Sequence, residues 1–242
     1  MLGENQMTTP AAEPSPLFRA RVAGFLYLLG NLPAPFALVY LPSRLIVRGD
    51  AAATANNILA SESLFRLGIV ALLFNSIANI FLVLALYQLL KVVNKNMASL
   101  MVIFMLVVVP IGMLNELNNL AVLLLLSGAD YLNVFTTEQL QALMYFFLRL
   151  HGQGLNIAQI FWGLWLFPMG YLVFKSGFLP RVLGILLMIG CFGYVIQSFA
   201  AFLGYNVTII FFTSWGELLL LLWLLIKGVN VEQWEKRALE SA

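Results

Sequence analysis

The sequence has little charge, a single cysteine and a single histidine. Only 10% of its 242 residues are charged, whereas 62% are hydrophobic and the mean hydropathy is +0.92. A soluble domain carries roughly 25% charged residues, and one core could not bury this much apolar surface. The composition excludes an ordinary soluble domain and predicts a membrane protein whose main partner is the lipid bilayer. The net charge of +2 gives no support for nucleic-acid binding.

Cys191 and His151 each exclude a kind of site because each is the only residue of its type. One cysteine cannot form a disulfide within the chain or a cysteine cluster for a metal. One histidine cannot supply the two or three imidazoles of a typical zinc site. The sequence also lacks a glycine-rich phosphate loop, a Gly-x-Ser-x-Gly elbow and a His-Glu-x-x-His pair. We therefore expect no metal and no cofactor.

Six apolar segments are long enough to cross a membrane as helices, which takes about 20 residues. The predicted spans cover residues 20–41, 64–90, 97–126, 154–174, 179–203 and 207–226. They predict an all-α, polytopic membrane protein with a six-transmembrane-helix bundle over residues 18–228. The flanking segments 1–17 and 229–242 are polar, and we expect a disordered cytoplasmic tail at the first and a cytoplasmic C-terminal tail at the second.

The basic residues predict the orientation of this bundle. Nine of the 13 lysines and arginines fall on the cytoplasmic side if the N-terminus is inside, namely Arg19, Arg21, Lys91, Lys95, Lys175, Arg181, Lys227, Lys236 and Arg237. Because positive charge is enriched in cytoplasmic loops, the distribution predicts that both termini are cytoplasmic.

The connection before span two is expected to contain a short helix on the outer surface. Residues 51–60 are good helix formers, and the carboxylate of Asp50 can accept hydrogen bonds from the free amides of their first turn. Glu62 can pair with Arg66 one turn further along.

A second outer surface helix is expected before span four, because residues 137–150 are apolar and aromatic with scattered polar positions. One continuous helix over residues 137–174 would measure roughly 57 Å, nearly twice the thickness of the hydrocarbon core. We therefore expect a break near Gly152 and Gly154, with the earlier part lying in the outer interface.

Ionisable residues inside the spans are the main functional signal, because a charged side chain at the bilayer centre costs at least about 2.5–3.5 kcal/mol. Glu116 lies in span three and Glu217 near the middle of span six. His151 and Arg149 stand at the outer entrance of span four, and Arg66 at that of span two. Five amide side chains in the outer half complete the candidate ligand-binding or proton-relay set, namely Asn75, Asn79, Asn119, Asn156 and Gln159.

Two interpretations of this set stay open. The residues could line a polar cavity that opens to the outer side and has Glu217 as its floor, where a ligand binds or protons move. Alternatively, they could be structural, with amides bonding between helices and ion pairs such as Glu116–Arg149 or Glu217–Arg66.

Three functions correspond to these interpretations. The first is binding or transport of a small polar or amphipathic molecule. The second is an intramembrane enzyme acting on a lipid or lipid-linked substrate, with Glu116 and His151 as an acid–base pair and Arg149 or Arg66 holding a phosphate or carboxylate. The third is a non-catalytic partner or sensor subunit. No sequence feature defines an oligomeric state.

Five stretches of the chain are familiar as sequences: residues 21–28 (RVAGFLYL), 48–66 (RGDAAATANNILASESLFR), 85–95 (ALYQLLKVVNK), 150–152 (LHG) and 175–184 (KSGFLPRVLG). From about residue 19 to 227 the chain resembles a bacterial integral-membrane family catalogued as domain of unknown function 4386. The resemblance implies a location in the bacterial cytoplasmic membrane and agrees with six helices, but it implies no activity. Arg66 and His151 lie inside the shared stretches, and Glu217 lies outside them.

Overall fold

The computed structural model describes residues 14–241, and all regular elements among them are helical. The helices are α1 Pro16–Leu45, α2 Ala51–Ala60, α3 Glu62–Leu90, α4 Lys95–Leu125, α5 Thr137–Ser176, α6 Arg181–Phe202, α7 Ile210–Ile226 and α8 Val231–Glu240. Most of the tail predicted at residues 1–17 lies outside the described residues. The segment predicted as a C-terminal tail contains α8.

Side-chain caps determine where several helices begin. The carboxylate of Asp50 accepts a hydrogen bond from the amide of Ala53 at 2.8 Å, which confirms the predicted cap of α2. At the start of α5, Thr136 and Gln139 form a reciprocal capping box, with 2.9 Å and 3.3 Å between their backbone nitrogens and side-chain oxygens. These local signals lie in the sequence itself and need no tertiary contact.

Among the described residues, five helices are long and apolar enough to cross a membrane, namely α1, α3, α4, α5 and α6. A sixth crossing depends on α7, which meets α8 at a bend of 103°. Helix α8 carries charged residues through most of its length, so α7 alone is the candidate. At 1.5 Å per residue α7 measures roughly 25 Å, slightly less than the core of a typical bilayer. That the chain crosses the membrane six times therefore stays a prediction.

The predicted break near Gly152 and Gly154 is wrong, because α5 runs without interruption for 40 residues. A Cβ atom at Gly154 would overlap the side chain of Asn115 on α4. That side chain donates a hydrogen bond to the carbonyl of His151 at 2.9 Å. The glycine therefore permits a close contact between two helices, and residues 137–150 form the first part of α5 rather than a separate surface helix.

Six helices pack in a closed ring. Each of α1, α3, α4, α5, α6 and α7 packs mainly against two others, and the ring follows the chain order until α7 returns to α1. Sequential helices joined by short connections are ordinarily antiparallel neighbours. The ring therefore surrounds a central space to which every one of the six helices contributes a face.

Two apolar clusters lie at different heights in this ring. The larger one includes Met105 and Trp165 and fills the end of the ring near the termini. The smaller one joins α2 to the ends of α1, α3, α4 and α5, around Ile58 and Met144. Helix α2 therefore packs on the extra length of α5, which accounts for a helix longer than a bilayer needs. The location of α2 at the membrane surface stays a prediction.

The start of α1 and helix α8 lie at the same end of the ring. The indole of Trp234 donates a hydrogen bond to the carbonyl of Leu89 at 2.9 Å. The guanidinium of Arg19 lies 5.7 Å from the centre of the Trp234 ring, within the range of a cation–π contact. Both ends of the described chain therefore meet on one side.

Candidate functional site

A cavity of about 380 Å³ lies inside the ring, and all six of its helices contribute to the wall. This volume falls within the range of about 300–1,000 Å³ that is typical of small-molecule sites. Its polar and aromatic lining residues are Tyr27, Asn31, Asn75, Ser76, Asn79, Glu116, Gln159, Trp162, Trp165, Tyr194 and Glu217. Five of the residues predicted from the sequence are in this lining: both glutamates, Asn75, Asn79 and Gln159.

Glu217 joins three helices through its two carboxylate oxygens. The hydroxyl of Tyr27 on α1 donates to Oε2 at 2.8 Å, and the hydroxyl of Tyr194 on α6 donates to Oε1 at 3.0 Å. Gly216 permits this convergence. A Cβ atom at this position would lie 2.8 Å from the backbone of Leu186, too close for any residue other than glycine without a shift of one helix. The close approach of α7 to α6 is therefore what brings the carboxylate within reach of Tyr194.

Glu116 is 3% exposed and holds a second polar cluster at the other end of the cavity. Its Oε1 lies 2.9 Å from Nε2 of His151, and its Oε2 accepts a hydrogen bond from Asn119 at 2.8 Å. Asn115 donates to the carbonyl of His151. A carboxylate in contact with an imidazole can exchange a proton with it, so this pair has the geometry of an acid–base couple.

The two glutamates lie at different depths. Counted along their helices from the end that holds Trp234, Glu217 is roughly 14 Å deep and Glu116 roughly 32 Å deep at 1.5 Å per residue. The cavity lies between them and touches both. His151 and Asn119 line a separate, smaller cavity on the far side of Glu116.

The side-chain amides of Asn75 and Asn79 on α3 donate hydrogen bonds to oxygen atoms of the protein. Asn75 donates to the carbonyl of Gly30 at 2.6 Å. Asn79 donates to the backbone oxygen of Asn75 at 3.0 Å and to its side-chain oxygen at 3.2 Å. The two asparagines share one face of the helix, as their spacing of four residues predicts.

Both predicted arginines lie away from the cavity. Arg66 forms an exposed ion pair with Glu62 at 2.7 Å, which confirms that predicted pair, and Arg149 is exposed. The alternative ion pairs Glu116–Arg149 and Glu217–Arg66 are wrong, because Glu116 contacts His151 and Glu217 contacts two tyrosines. A long, flexible side chain near a helix end can place its guanidinium outside the apolar region.

Asn156 is also outside the cavity lining and donates to Gln153 at 3.3 Å. Gln159, three residues later, does line the cavity and accepts a hydrogen bond from Ser198 at 3.3 Å. Of these two candidates, Gln159 alone therefore lies at the cavity.

The candidate residues predicted from the sequence do not include Tyr27 and Tyr194, whose hydroxyls bind Glu217. Two spacing signals were available. On α6, Tyr194 precedes Gln197 and Ser198 by three and four residues, and on α1 Tyr27 precedes Asn31 by four. Each spacing places polar groups on one face of an apolar helix.

Comparison with known proteins identifies a matching family and one relative of the chain. A family model described as "Domain of unknown function (DUF4386)" matches residues 22–228. An uncharacterized protein of Archaeoglobus fulgidus is 34% identical over 168 residues, which is 65% of this chain and 86% of that protein. No solved structure matches.

Proposed function

The chain belongs to the DUF4386 family, and we propose that it is a multi-pass membrane protein that binds or transports a small amphipathic molecule in the central cavity. The observation that carries the proposal is the cavity itself. It combines two carboxylates with amides, aromatic rings and apolar side chains inside a ring of membrane-like helices. Concave sites of this size with few, convergent polar groups are typical of ligand-binding proteins.

An exposed lining residue near the far end of α1 supports access to the cavity from the outer half of the membrane. Val39 lines the cavity and is 67% exposed. It belongs to a π-helical turn, Phe36–Tyr40, that follows Pro33 and Pro35 in α1. π-Helical turns are rare in proteins, but those that occur are often found at functional sites. With cytoplasmic termini, as the basic residues favour, this end of α1 faces outward.

The family resemblance is the basis on which we propose a bacterial cytoplasmic membrane as the location of the protein.

The test uses a variant that fills the cavity. Gly112 lines the cavity, and a Cβ atom there would meet only the hydroxyl of Ser76 at 3.6 Å, so Gly112→Phe has room to project into it. Gly152→Phe is the matched control, because Gly152 has open space around it and is not in the lining. The probes are 2-phenylethylammonium, 2-phenylethanol and phenylacetate, which share a phenyl ring on a two-carbon chain.

We expect at least one probe to raise the melting temperature of the purified protein and to change the fluorescence of Trp162 and Trp165. Gly112→Phe should remove both responses and Gly152→Phe should keep them. The same responses in Gly112→Phe and wild type, or no response to any probe, would contradict the proposed cavity function.

The contact of Glu116 with His151 favours a second candidate, an intramembrane enzyme acting on a lipid. The 2.9 Å distance meets the geometric requirement for an acid–base pair. The arginines expected to hold a phosphate are not at the cavity, so binding ranks first. Incubation of the protein with a total lipid extract tests this candidate. A product seen by mass spectrometry with wild type but not with His151→Gln would favour the enzyme.

A further inference from the structure

We propose that the ligand is an organic cation, a small molecule that carries an ammonium group on an apolar or aromatic body. This inference rests on the proposed binding function and specifies the chemistry that the cavity selects. Four features carry it: the charge of the lining, the use of its hydrogen-bond donors, its aromatic walls and its apolar surface.

Among the described residues, the lining contains two carboxyl groups and no basic side chain. Glu116 and Glu217 are both in it, and none of the described residues that form it is a lysine, an arginine or a histidine. Glu116 has His151 behind it as a partner that can carry positive charge. Within residues 14–241, the side-chain partners of Glu217 are only the neutral hydroxyls of two tyrosines. A buried carboxylate is stable when a cation compensates it, and here the ligand is the group placed to do so.

Several donors in the cavity are already engaged, among them the two hydroxyls beside Glu217. The hydroxyls of Tyr27 and Tyr194 donate to Glu217, and the hydroxyl of Ser76 donates to the carbonyl of Leu72. The side-chain nitrogen of Asn79 donates to two oxygens of Asn75. Beside Glu217, an anion would therefore find both tyrosine hydroxyls already used. An ammonium group brings three donors and meets carboxylate and amide oxygens.

The aromatic walls favour the same charge. Tyr27, Tyr194, Trp162 and Trp165 line the cavity near Glu217. The rings of Tyr27 and Trp165 pack edge to face, with 6.1 Å between their centres. The faces of tryptophan and tyrosine rings attract cations, by about 0.5–2 kcal/mol depending on desolvation. The ring surface therefore adds to the effect of the carboxylate rather than opposing it.

The remaining wall fits the apolar part of such a ligand. Leu38, Leu72, Met105 and Leu155 line the cavity from four different helices. A divalent metal is a poorer fit, because the described residues contain no group of three or more histidine, cysteine, aspartate or glutamate side chains placed to hold one. The ligand class that uses every part of the wall is an amphipathic organic cation.

The test compares the three probes of equal body and different charge, with binding followed by tryptophan fluorescence in an uncharged detergent. We expect 2-phenylethylammonium to bind at least about tenfold more tightly than 2-phenylethanol, which corresponds to about 1.4 kcal/mol. Phenylacetate should bind more weakly than either. Glu217→Gln should remove the preference for the cation and keep binding of the alcohol. Glu217→Asp, which retains the charge, should keep most of the preference.

The outcomes separate this inference from the proposed function. Equal affinities for the cation and the alcohol, or an unchanged preference in a folded Glu217→Gln protein, would overturn the cation assignment while cavity binding stands. Loss of all binding in Gly112→Phe together with a retained response in Gly152→Phe confirms that the probes occupy this cavity. If Glu217→Gln does not fold, the variant Tyr27→Phe/Tyr194→Phe takes its place, because it keeps the carboxylate and frees its oxygens. A retained or stronger preference for the cation supports the assignment, and loss of that preference with the alcohol still bound overturns it.

Discussion

At the scale of single residues, the position of each carboxylate is set by its hydrogen-bond partners. Glu116 is held by His151 and Asn119, and Glu217 by Tyr27 and Tyr194. In both cases the two carboxylate oxygens each have a partner. A buried carboxylate that loses a partner keeps its desolvation cost, so truncation of the partner is expected to destabilise more than an ordinary surface change.

His151→Ala should lower the free energy of unfolding by about 1–3 kcal/mol, because it leaves one oxygen of Glu116 without its partner. The double variant Glu116→Gln/His151→Ala should cost less than the sum of the two single variants. Thermal or denaturant unfolding in detergent gives the free energies of unfolding of the wild type, the two single variants and the double variant. Additive effects within about 0.3–0.5 kcal/mol would show that the contact is not energetically coupled.

Tyr27→Phe and Tyr194→Phe should each reduce stability by about 1.5–3 kcal/mol, since each removes one hydrogen bond to a carboxylate. Tyr131→Phe is the control, because Tyr131 is 65% exposed. Melting temperatures of the three variants compare the effects under one condition. A control that loses as much stability as the two cavity variants would refute the role given to the hydroxyls.

At the scale of elements, the glycines of α5 differ in what surrounds them. Gly154→Ala places a methyl group against Asn115 and should destabilise the contact of α4 with α5. Gly152→Ala meets open space and should be neutral or stabilising by about 0.5–1 kcal/mol, because alanine favours the helix. Unfolding measurements on the pair give the comparison. Equal effects at both positions would contradict the close packing at Gly154.

At the scale of the whole molecule, the contacts of Trp234 with Leu89 and Arg19 place both ends of the described chain on one side. This arrangement supports an even number of crossings, and the basic residues predict that the shared side is cytoplasmic. In a Cys191→Ser background, Ser127→Cys in the loop between α4 and α5 should react with an impermeant maleimide added to intact cells. Glu235→Cys in α8 should react only after permeabilisation. The reverse pattern would overturn the orientation.

The six apolar segments, the cap of α2 at Asp50 and the Glu62–Arg66 pair follow from the sequence, because each depends on neighbours close in the chain. The clustering of Glu116 with His151, the tyrosines around Glu217 and the continuity of α5 depend on which helices become neighbours. Helix periodicity shows which residues share a face, but it does not show which other helix that face meets. The order of the helices around the ring determines which faces meet. In this order the arginines stay outside the cavity, both glutamates line it, and Gly154 forms a contact between two helices rather than a break in one.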